Sequence, residues 1–175
     1  MTTSLFEQFG LKKIINASGK MTALGATAVE EEIAEALKLA AQDYVNIDEL
    51  IKYAGKVIAK HTGAEDGCPT IGAAAGIAIS TAAVIAGTNL NLIERMPNSE
   101  GLKNEIIIQK GHNVNFGGSI EQMIRLGGGK VVEVGSVNKV ELDHIEQAIN
   151  DKTAALFYVK SHHAVQKGMQ SIESM

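Results

Sequence analysis

Two loops of the chain combine histidine, lysine, asparagine and glycine, residue types that bind small polar ligands. They span residues 110–118 and 160–168. Each loop follows an apolar run typical of a buried parallel strand, at 105–109 and at 154–159. Because ligands of open α/β sheets bind just beyond the carboxyl ends of the strands, we expect a ligand site where these two loops meet.

A third segment, residues 70–76, opens an apolar helix with small residues only (Gly-Ala-Ala-Ala-Gly) after Thr70 and Ile71. Small residues let backbone N–H groups approach an anion, which the positive end of the helix dipole also favours. The segment therefore indicates a phosphate cradle without a P-loop lysine. The alternative is that the small residues only permit tight packing of the helix on a sheet.

The two loops supply several candidate ligand-binding side chains. His112 or Phe116 could stack on a ring-shaped ligand, although a hydrogen-bonded loop histidine and a core phenylalanine are the alternatives. Neighbouring residues of an extended segment point to opposite sides, so at most one of His162 and His163 is expected to face the site. The flanking lysines could bind an acidic substrate or be ordinary surface charges: Lys110, Lys160 and Lys167.

Other kinds of site are not indicated by the sequence. The histidines show no metal-ligand spacing and Cys68 is alone, so we expect no metal site. No Gly-x-Ser-x-Gly nucleophile elbow is present. The glycines at 127–129 precede a strand, which favours a helix stop and a turn over a phosphate loop.

The order of the predicted elements indicates an α/β fold. Thr27 and Glu30 suggest a capping box for the first helix, and Gly63 suggests a stop for the second. Strands alternating with helices from residue 105 onward predict a mainly parallel sheet. We expect an N-terminal arm and helices over 1–65 and an α/β domain over 66–175. The predicted elements are a short strand or extended arm at 11–16, helices at 28–42 and 48–61, a fully buried helix at 73–86, a surface loop at 95–101, strands at 105–109, 130–134 and 154–159, and helices at 119–126 and 141–150.

Composition narrows the class of protein. The chain has 175 residues, a net charge of −4 and 45% hydrophobic residues, which is the profile of an ordinary globular domain. The acidic balance argues against nucleic acid or an anionic membrane as partner. A single cysteine fits a reducing cytoplasm. Residues 1–7 show no secretion signal, and no segment is apolar enough for a membrane span.

Several segments, in order along nearly the whole chain, together resemble the pyridoxal 5'-phosphate (PLP) enzymes of the aspartate-aminotransferase fold, known as fold type I. Within that fold they resemble the selenocysteine-synthase-related group, and within it the D-glucosaminate-6-phosphate ammonia-lyase family. The Lys-Gly-His-Asn-Val-Asn-Phe-Gly and Lys-Ser-His-His stretches are the specific ones. The segments are 14–25, 75–78, 110–117, 127–130 and 160–167. The resemblance implies part of the large PLP-binding domain of such an enzyme.

The resemblance also implies roles for residues that would bind the cofactor. One group would cradle the phosphate of PLP: Gly72, Ala73 and Ala74. Ala74 stands where the family often has a hydroxyl residue, which leaves the backbone and Thr70 to bind the phosphate. His112 would stack on the pyridine ring, with Phe116 as the alternative, and a second group would lie near the ring hydroxyl: Ser161 and His162.

Substrate-binding roles follow from the same resemblance. Lys110 or Lys167 would receive the substrate phosphate. Asn16 and Thr22, within the segment 16–25, would help form the substrate entrance, in the same subunit or in a neighbouring one.

The implied activity is a PLP-dependent α,β-elimination that dehydrates and deaminates a phosphorylated amino-sugar acid and releases ammonia. In such enzymes the aspartate that pairs with the pyridine nitrogen and the Schiff-base lysine lie downstream of a Ser-His-His segment. We therefore expect this chain to correspond to the N-terminal part of a homo-oligomeric enzyme and to contain no catalytic residue. The alternatives are a selenium or sulfur transferase, another amino-acid lyase of the same fold, and a non-catalytic phosphate-binding or assembly fragment.

Overall fold

The computed structural model describes residues 4–175. Residues 1–3 lie outside the described residues. They begin the predicted N-terminal arm and the segment 1–7 in which no secretion signal is predicted. The chain divides into two compact units, one ending at Tyr53 and the other beginning at Ala54. The domain division predicted between residues 65 and 66 stays a prediction.

The first unit contains short helices and extended segments. Helix α1 (Leu5–Gln8) begins with a capping box between Ser4 and Glu7. Residues 11–16 form no strand. Helix α2 (Glu31–Ala40) begins three residues later than predicted.

The capping box predicted for α2 is wrong. Glu30 is the N-cap residue and makes no side-chain cap. Thr27 lies four residues before the first helical residue, too far from the free N–H groups of the first turn, and its hydroxyl donates to the Ala28 carbonyl instead.

Two longer helices follow the predicted bounds closely. Helix α3 (Ile47–Thr62) ends at Gly63, whose φ of +77° is the left-handed conformation expected of a glycine stop. Helix α4 (Ala73–Ala86) has the predicted bounds, but its predicted full burial is wrong. Ile79 and Val84 are each 52% exposed. Within the second unit, α4 packs on α5 (Leu90–Arg95), on α6 (Ile120–Leu126) and on one strand, which cover only part of a helix that is apolar on all sides.

A three-stranded parallel sheet organises the second unit. Strands β1 (Glu105–Gln109), β2 (Lys130–Val134) and β3 (Thr153–Phe157) are arranged in the order β2-β1-β3. Both pairings are parallel, which confirms the predicted α/β class. The connecting helices are α6 (Ile120–Leu126) and α7 (Leu142–Glu146). Helix α5 takes up the start of the predicted surface loop; its six residues are too few to show a helical period.

The central strand is the most buried part of the sheet. All five residues of β1 are buried, and Ile107 packs in a core with Val134, Val140 and Ile145. The predicted turn at 127–129 is present, and a Cβ at Gly127 would collide with the Ala78 carbonyl of α4. The carboxyl end of β1 is therefore a fixed base for the loop that follows it. None of the helices within residues 4–175 is long and apolar enough to cross a membrane.

Candidate functional site

An open cavity of about 340 Å³ lies at the carboxyl ends of β1 and β3. Ala73 and Ile77 line it from the first turns of α4, and Phe116 lines it from the loop after β1. Ser161 and His163 line it from the segment after β3. The cavity therefore lies where the sequence places a ligand, and it joins the helix start to both strand-end loops.

The start of α4, which has Ala73 in the cavity wall, carries free backbone donors. Gly72 is the N-cap residue with φ +116°, and its carbonyl accepts the first helical hydrogen bond, from the Gly76 N–H at 3.1 Å. The N–H groups of residues 73–75 therefore have no acceptor within the helix. The Thr70 hydroxyl donates to the same Gly72 carbonyl at 3.1 Å and fixes the turn. An anion at this end of the cavity would meet backbone N–H groups and the positive end of the helix dipole.

Aromatic rings form a flat surface inside the cavity. The Phe116 ring stacks on the His163 ring, with centroids 3.5 Å apart and an interplanar angle of 19°. The His162 ring lies 3.8 Å from that of His163 but does not line the cavity. The sequence predicts that at most one of the two histidines faces the site, and the family resemblance assigns His162, not His163, to it. Counting the alternation of side chains from the end of β3 could have identified the histidine that faces the cavity. The segment turns at residues 161–164, so this alternation does not continue to the two histidines.

His112 lies in the interior and not in the cavity wall. Its side chain is fully buried, and its Nδ1 accepts a hydrogen bond from the Val159 N–H at 3.3 Å. The ring meets Tyr158 edge to face, with centroids 4.6 Å apart. Burial lowers the pKa of His112, and its Nε2 atom is buried without a hydrogen-bond partner among the described residues.

The remaining predicted residues lie outside the cavity lining. Gly72 and Ala74 flank Ala73 at the exposed start of α4. The Lys110 Nζ lies 3.8 Å from a Glu133 carboxylate oxygen, at the carboxyl end of β2. Lys167 is exposed in the loop after β3, whereas Lys160, one of the three flanking lysines, lines the cavity.

Asn16 and Thr22 belong to the first compact unit. The Asn16 carboxamide closes a local turn by accepting a hydrogen bond from the Ser18 N–H at 2.9 Å. Thr22 begins a short 3₁₀ helix (Thr22–Leu24). Asn16 also lines a cavity of its own unit. Their assignment to a substrate entrance stays a prediction.

A family model described as SelA, L-seryl-tRNA selenium transferase, matches residues 14–174. The chain belongs to the SelA family. The D-glucosaminate-6-phosphate ammonia lyase of Salmonella typhimurium is 50% identical to this chain. The match covers 99% of this chain and 47% of the lyase. A 5'-C-glycyluridine monooxygenase-decarboxylase from a Streptomyces species is 41% identical, with 94% and 42% covered. An L-seryl-tRNA(Sec) selenium transferase of Clostridium perfringens is 31% identical, with 86% and 32% covered.

Solved structures agree with the sequence comparison. A structure of D-glucosaminate-6-phosphate ammonia-lyase superposes on this SelA-family chain with a TM-score of 0.97 and 49% identity. The superposition covers 99% of this chain and 47% of that structure. The chain thus spans about half the length of this relative, which confirms the prediction that it matches only part of such an enzyme.

Proposed function

We propose that this SelA-family chain forms part of the PLP-binding domain of an ammonia-lyase that acts on a phosphorylated amino-sugar acid such as D-glucosaminate 6-phosphate. One observation carries the proposal: a chain 50% identical to such a lyase folds so that a helix start and a stacked aromatic pair line one cavity. PLP is a planar ring that carries a phosphate group, so its phosphate would meet the helix start while one face of its ring would meet the aromatic pair.

The helix start fits the phosphate of PLP. The N–H groups of residues 73–75 have no helical acceptor, and Ala73 lies in the cavity wall. Gly72 adopts a φ that an L side chain rarely adopts, and this allows the chain to turn into the helix at that point. A hydroxyl from residue 74 is not needed for this cradle, because the backbone supplies the donors and Thr70 fixes the turn.

The aromatic pair fits the pyridine ring of PLP. Phe116 is 64% exposed and lies in the cavity wall, and a planar ligand would stack on the face of its ring that is turned away from His163. His112 is fully buried beneath the loop, so Phe116 is the better candidate for stacking. Ser161 lines the same cavity and would supply a polar contact at the edge of the ring, whereas His163 lines it as the stacking partner of Phe116. His162, whose ring lies 3.8 Å from that of His163, remains a proposed contact.

When bound, PLP draws electrons away from the α-carbon of an amino acid, so that the α-proton and a β-hydroxyl can leave. The residues of this chain would hold the cofactor in place, and the Lys160 ammonium at the cavity wall would add a positive charge for an acidic ligand. Lys110, Lys167, Asn16 and Thr22 remain proposed substrate contacts. The covalent lysine and the pyridine-nitrogen aspartate are expected in the part of the relatives that this chain does not cover.

Binding of pyridoxamine 5'-phosphate to the 175-residue chain tests the cofactor site, because this compound cannot react with a lysine. Ala73→Pro would remove one backbone N–H at the first helical position, where proline costs a helix little, and should weaken binding about tenfold. Phe116→Leu should weaken it by a similar factor. Phe9→Leu, an exposed position in the first unit, is the matched aromatic control. Loss of phosphate dependence, shown by equal binding of pyridoxamine, would refute the cradle.

Reductive trapping with PLP and borohydride tests the assignment of the covalent lysine. We expect no stable adduct at a unique lysine of this chain, and an adduct in a chain extended to the full length of the relatives. A specific adduct at Lys160, accompanied by turnover, would overturn the view that the covalent lysine lies elsewhere. The extended chain would then be assayed for ammonia release from D-glucosaminate 6-phosphate.

A selenium transferase acting on seryl-tRNA is the second candidate, because the family model that matches residues 14–174 carries that description. The net charge of −4 disfavours tRNA binding. Salt-dependent retention of tRNA by the extended chain, with no ammonia release, would favour the transferase. A third outcome is neither ammonia release nor tRNA retention. It would favour a different reaction, as in the monooxygenase-decarboxylase relative.

We also propose a homo-oligomer in the cytoplasm. The exposed apolar surface of α4 and the exposed lone Cys68 support these two assignments respectively. Light scattering of the purified chain and fractionation of cells that express it would test them.

A further inference from the structure

Both backbone groups of Val159 are held by side chains. Strand β3 ends at Phe157, so the sheet ladder does not reach Val159. Its N–H donates to Nδ1 of His112 at 3.3 Å, and its carbonyl accepts from Nε2 of Gln166 at 2.9 Å. Two side chains from different loops thus replace the strand partner that the backbone has left.

Gln166 extends this arrangement along the chain. Its Nε2 also donates to the Ser161 carbonyl at 3.3 Å, and its Oε1 accepts from the Tyr158 hydroxyl at 3.0 Å. The Tyr158 ring in turn contacts the His112 imidazole edge to face. Residues 158–161 are therefore fixed from the interior by His112 and from the loop by Gln166.

These same residues form one wall of the candidate cofactor cavity. Tyr158, Val159, Lys160 and Ser161 all line it. A movement of the Val159 backbone would carry Ser161 with it, because Gln166 bonds to the carbonyls of both. The position of this wall relative to Phe116 therefore depends on a histidine that does not reach the cavity.

We propose that His112 is a positioning residue: its Nδ1, together with Gln166, sets the position of the cavity wall at residues 158–161. The effect of this role on cofactor binding rests on the proposed function. The hydrogen bond between the Val159 N–H and His112 Nδ1 does not. The hydrogen bond from the Val159 N–H requires a neutral imidazole whose Nδ1 lone pair is free to accept, so the ring proton of His112 must be on Nε2. An apolar residue of similar size would fill the space and leave the Val159 N–H without a partner.

Three substitutions separate acceptance at Nδ1 from the mere filling of space. The side-chain oxygen of His112→Asn can take the place of Nδ1, that of His112→Gln the place of Nε2, and His112→Leu offers no acceptor. We expect the Val159 amide to exchange hydrogen about tenfold faster in the Leu and Gln variants, and within about threefold of wild type in the Asn variant. Equal exchange in wild type and His112→Leu, or rescue by Gln and not by Asn, would overturn the proposal.

A measurement on the unaltered chain covers the case in which a variant fails to fold. Long-range nitrogen–proton NMR spectra report which imidazole nitrogen carries the proton. The proposal requires the Nε2–H tautomer for His112, and an Nδ1–H tautomer would overturn it.

Pyridoxamine 5'-phosphate binding by the same variants separates the two proposals. About tenfold weaker binding in His112→Leu, restored by Asn, is expected if the wall belongs to the cofactor site. If wild type does not bind the compound while Val159 exchange follows the pattern above, the proposed function fails and the positioning role holds. If wild type binds it and Val159 exchange is unchanged in His112→Leu, the positioning role fails and the proposed function holds.

Discussion

Gly111→Ala tests whether the loops that follow the three strands are packed against one another at a single point. A Cβ at Gly111, in the loop after β1, would lie 2.7 Å from the Val137 carbonyl oxygen and 3.0 Å from the Val165 Cβ. Val137 follows β2 and Val165 follows β3. It would also lie 2.8 Å from the Met169 sulfur. Ordinary carbon contacts are about 3.5–4.0 Å, so neighbours on both sides must move by roughly half an ångström or more.

The magnitude follows from two opposing effects. Overpacking of a well-packed site costs about 1–3 kcal/mol. Replacing glycine with alanine reduces the entropy of the unfolded chain and returns about 0.4–1 kcal/mol. We therefore expect Gly111→Ala to lower the free energy of unfolding by about 1.3 kcal/mol, the difference between the middle values of the two ranges. The Val137 carbonyl and the Val165 Cβ are fixed to the backbone and cannot rotate away.

Gly118→Ala is the matched control. A Cβ there would meet only the terminal methyl of Met123, at 2.8 Å, and that methyl can rotate away. We expect a free energy of unfolding within about 0.5 kcal/mol of wild type or slightly higher. Urea unfolding followed by far-UV circular dichroism gives both values, since a slope of about 1–3 kcal/mol per M makes such differences measurable. Equal stability of Gly111→Ala and wild type, or a larger loss for Gly118→Ala, would refute the convergence of the three loops.

Three further changes have definite expected outcomes. Ile107→Ala should cost about 2–5 kcal/mol in the urea assay because Ile107 is fully buried, whereas Ile149→Ala, at a position 50% exposed, should cost far less. Gln109→Leu should lower the free energy of unfolding by about 2 kcal/mol or more, because the buried Gln109 carboxamide makes hydrogen bonds with both the N–H and the carbonyl of Gln170. Hydrogen exchange of the amides over residues 164–175 should become faster. Unchanged exchange there would contradict the prediction. The free energy of unfolding should fall as the pH drops below about 6.5, because burial lowers the pKa of His112 in the folded state and the unfolded chain then binds a proton that the folded chain does not. His112→Asn should abolish this part of the decrease. The same pH dependence in both proteins would contradict the prediction.

The sheet could be predicted from the sequence almost to the residue. The strands predicted at 105–109 and 130–134 have the observed bounds, and the strand predicted at 154–159 is observed at 153–157. The central strand β1 contains three consecutive isoleucines, as a parallel strand buried on both faces requires, whereas the edge strand β2 carries Lys130 and Glu133 among its valines. The bounds of α4 were equally clear. Its burial could not be predicted, because an apolar sequence indicates what a helix surface prefers and not what covers it.

Side-chain direction in the loops was beyond the sequence. Whether His112 or Phe116 faces the cavity depends on a 3₁₀ turn over Lys110–His112, which rotates the chain directly after β1. Likewise, only the turn at residues 161–164 decides that His163 and not His162 meets Phe116. The capping box was misplaced because Thr27 and Glu30 have the right spacing but lie before the first helical residue.

The strand order has a consequence for the sequence of events in folding. β1 pairs with β2, about 25 residues away along the chain, and with β3, nearly twice as far. Closing the shorter loop costs less chain entropy, so the β1–α6–β2 unit should form first and β3 should add to the other edge of β1 afterwards. Because the segment after β3 supplies a wall of the cavity, the cavity should be completed only in the last step. A ligand could then trap the finished fold but could not guide its early stages.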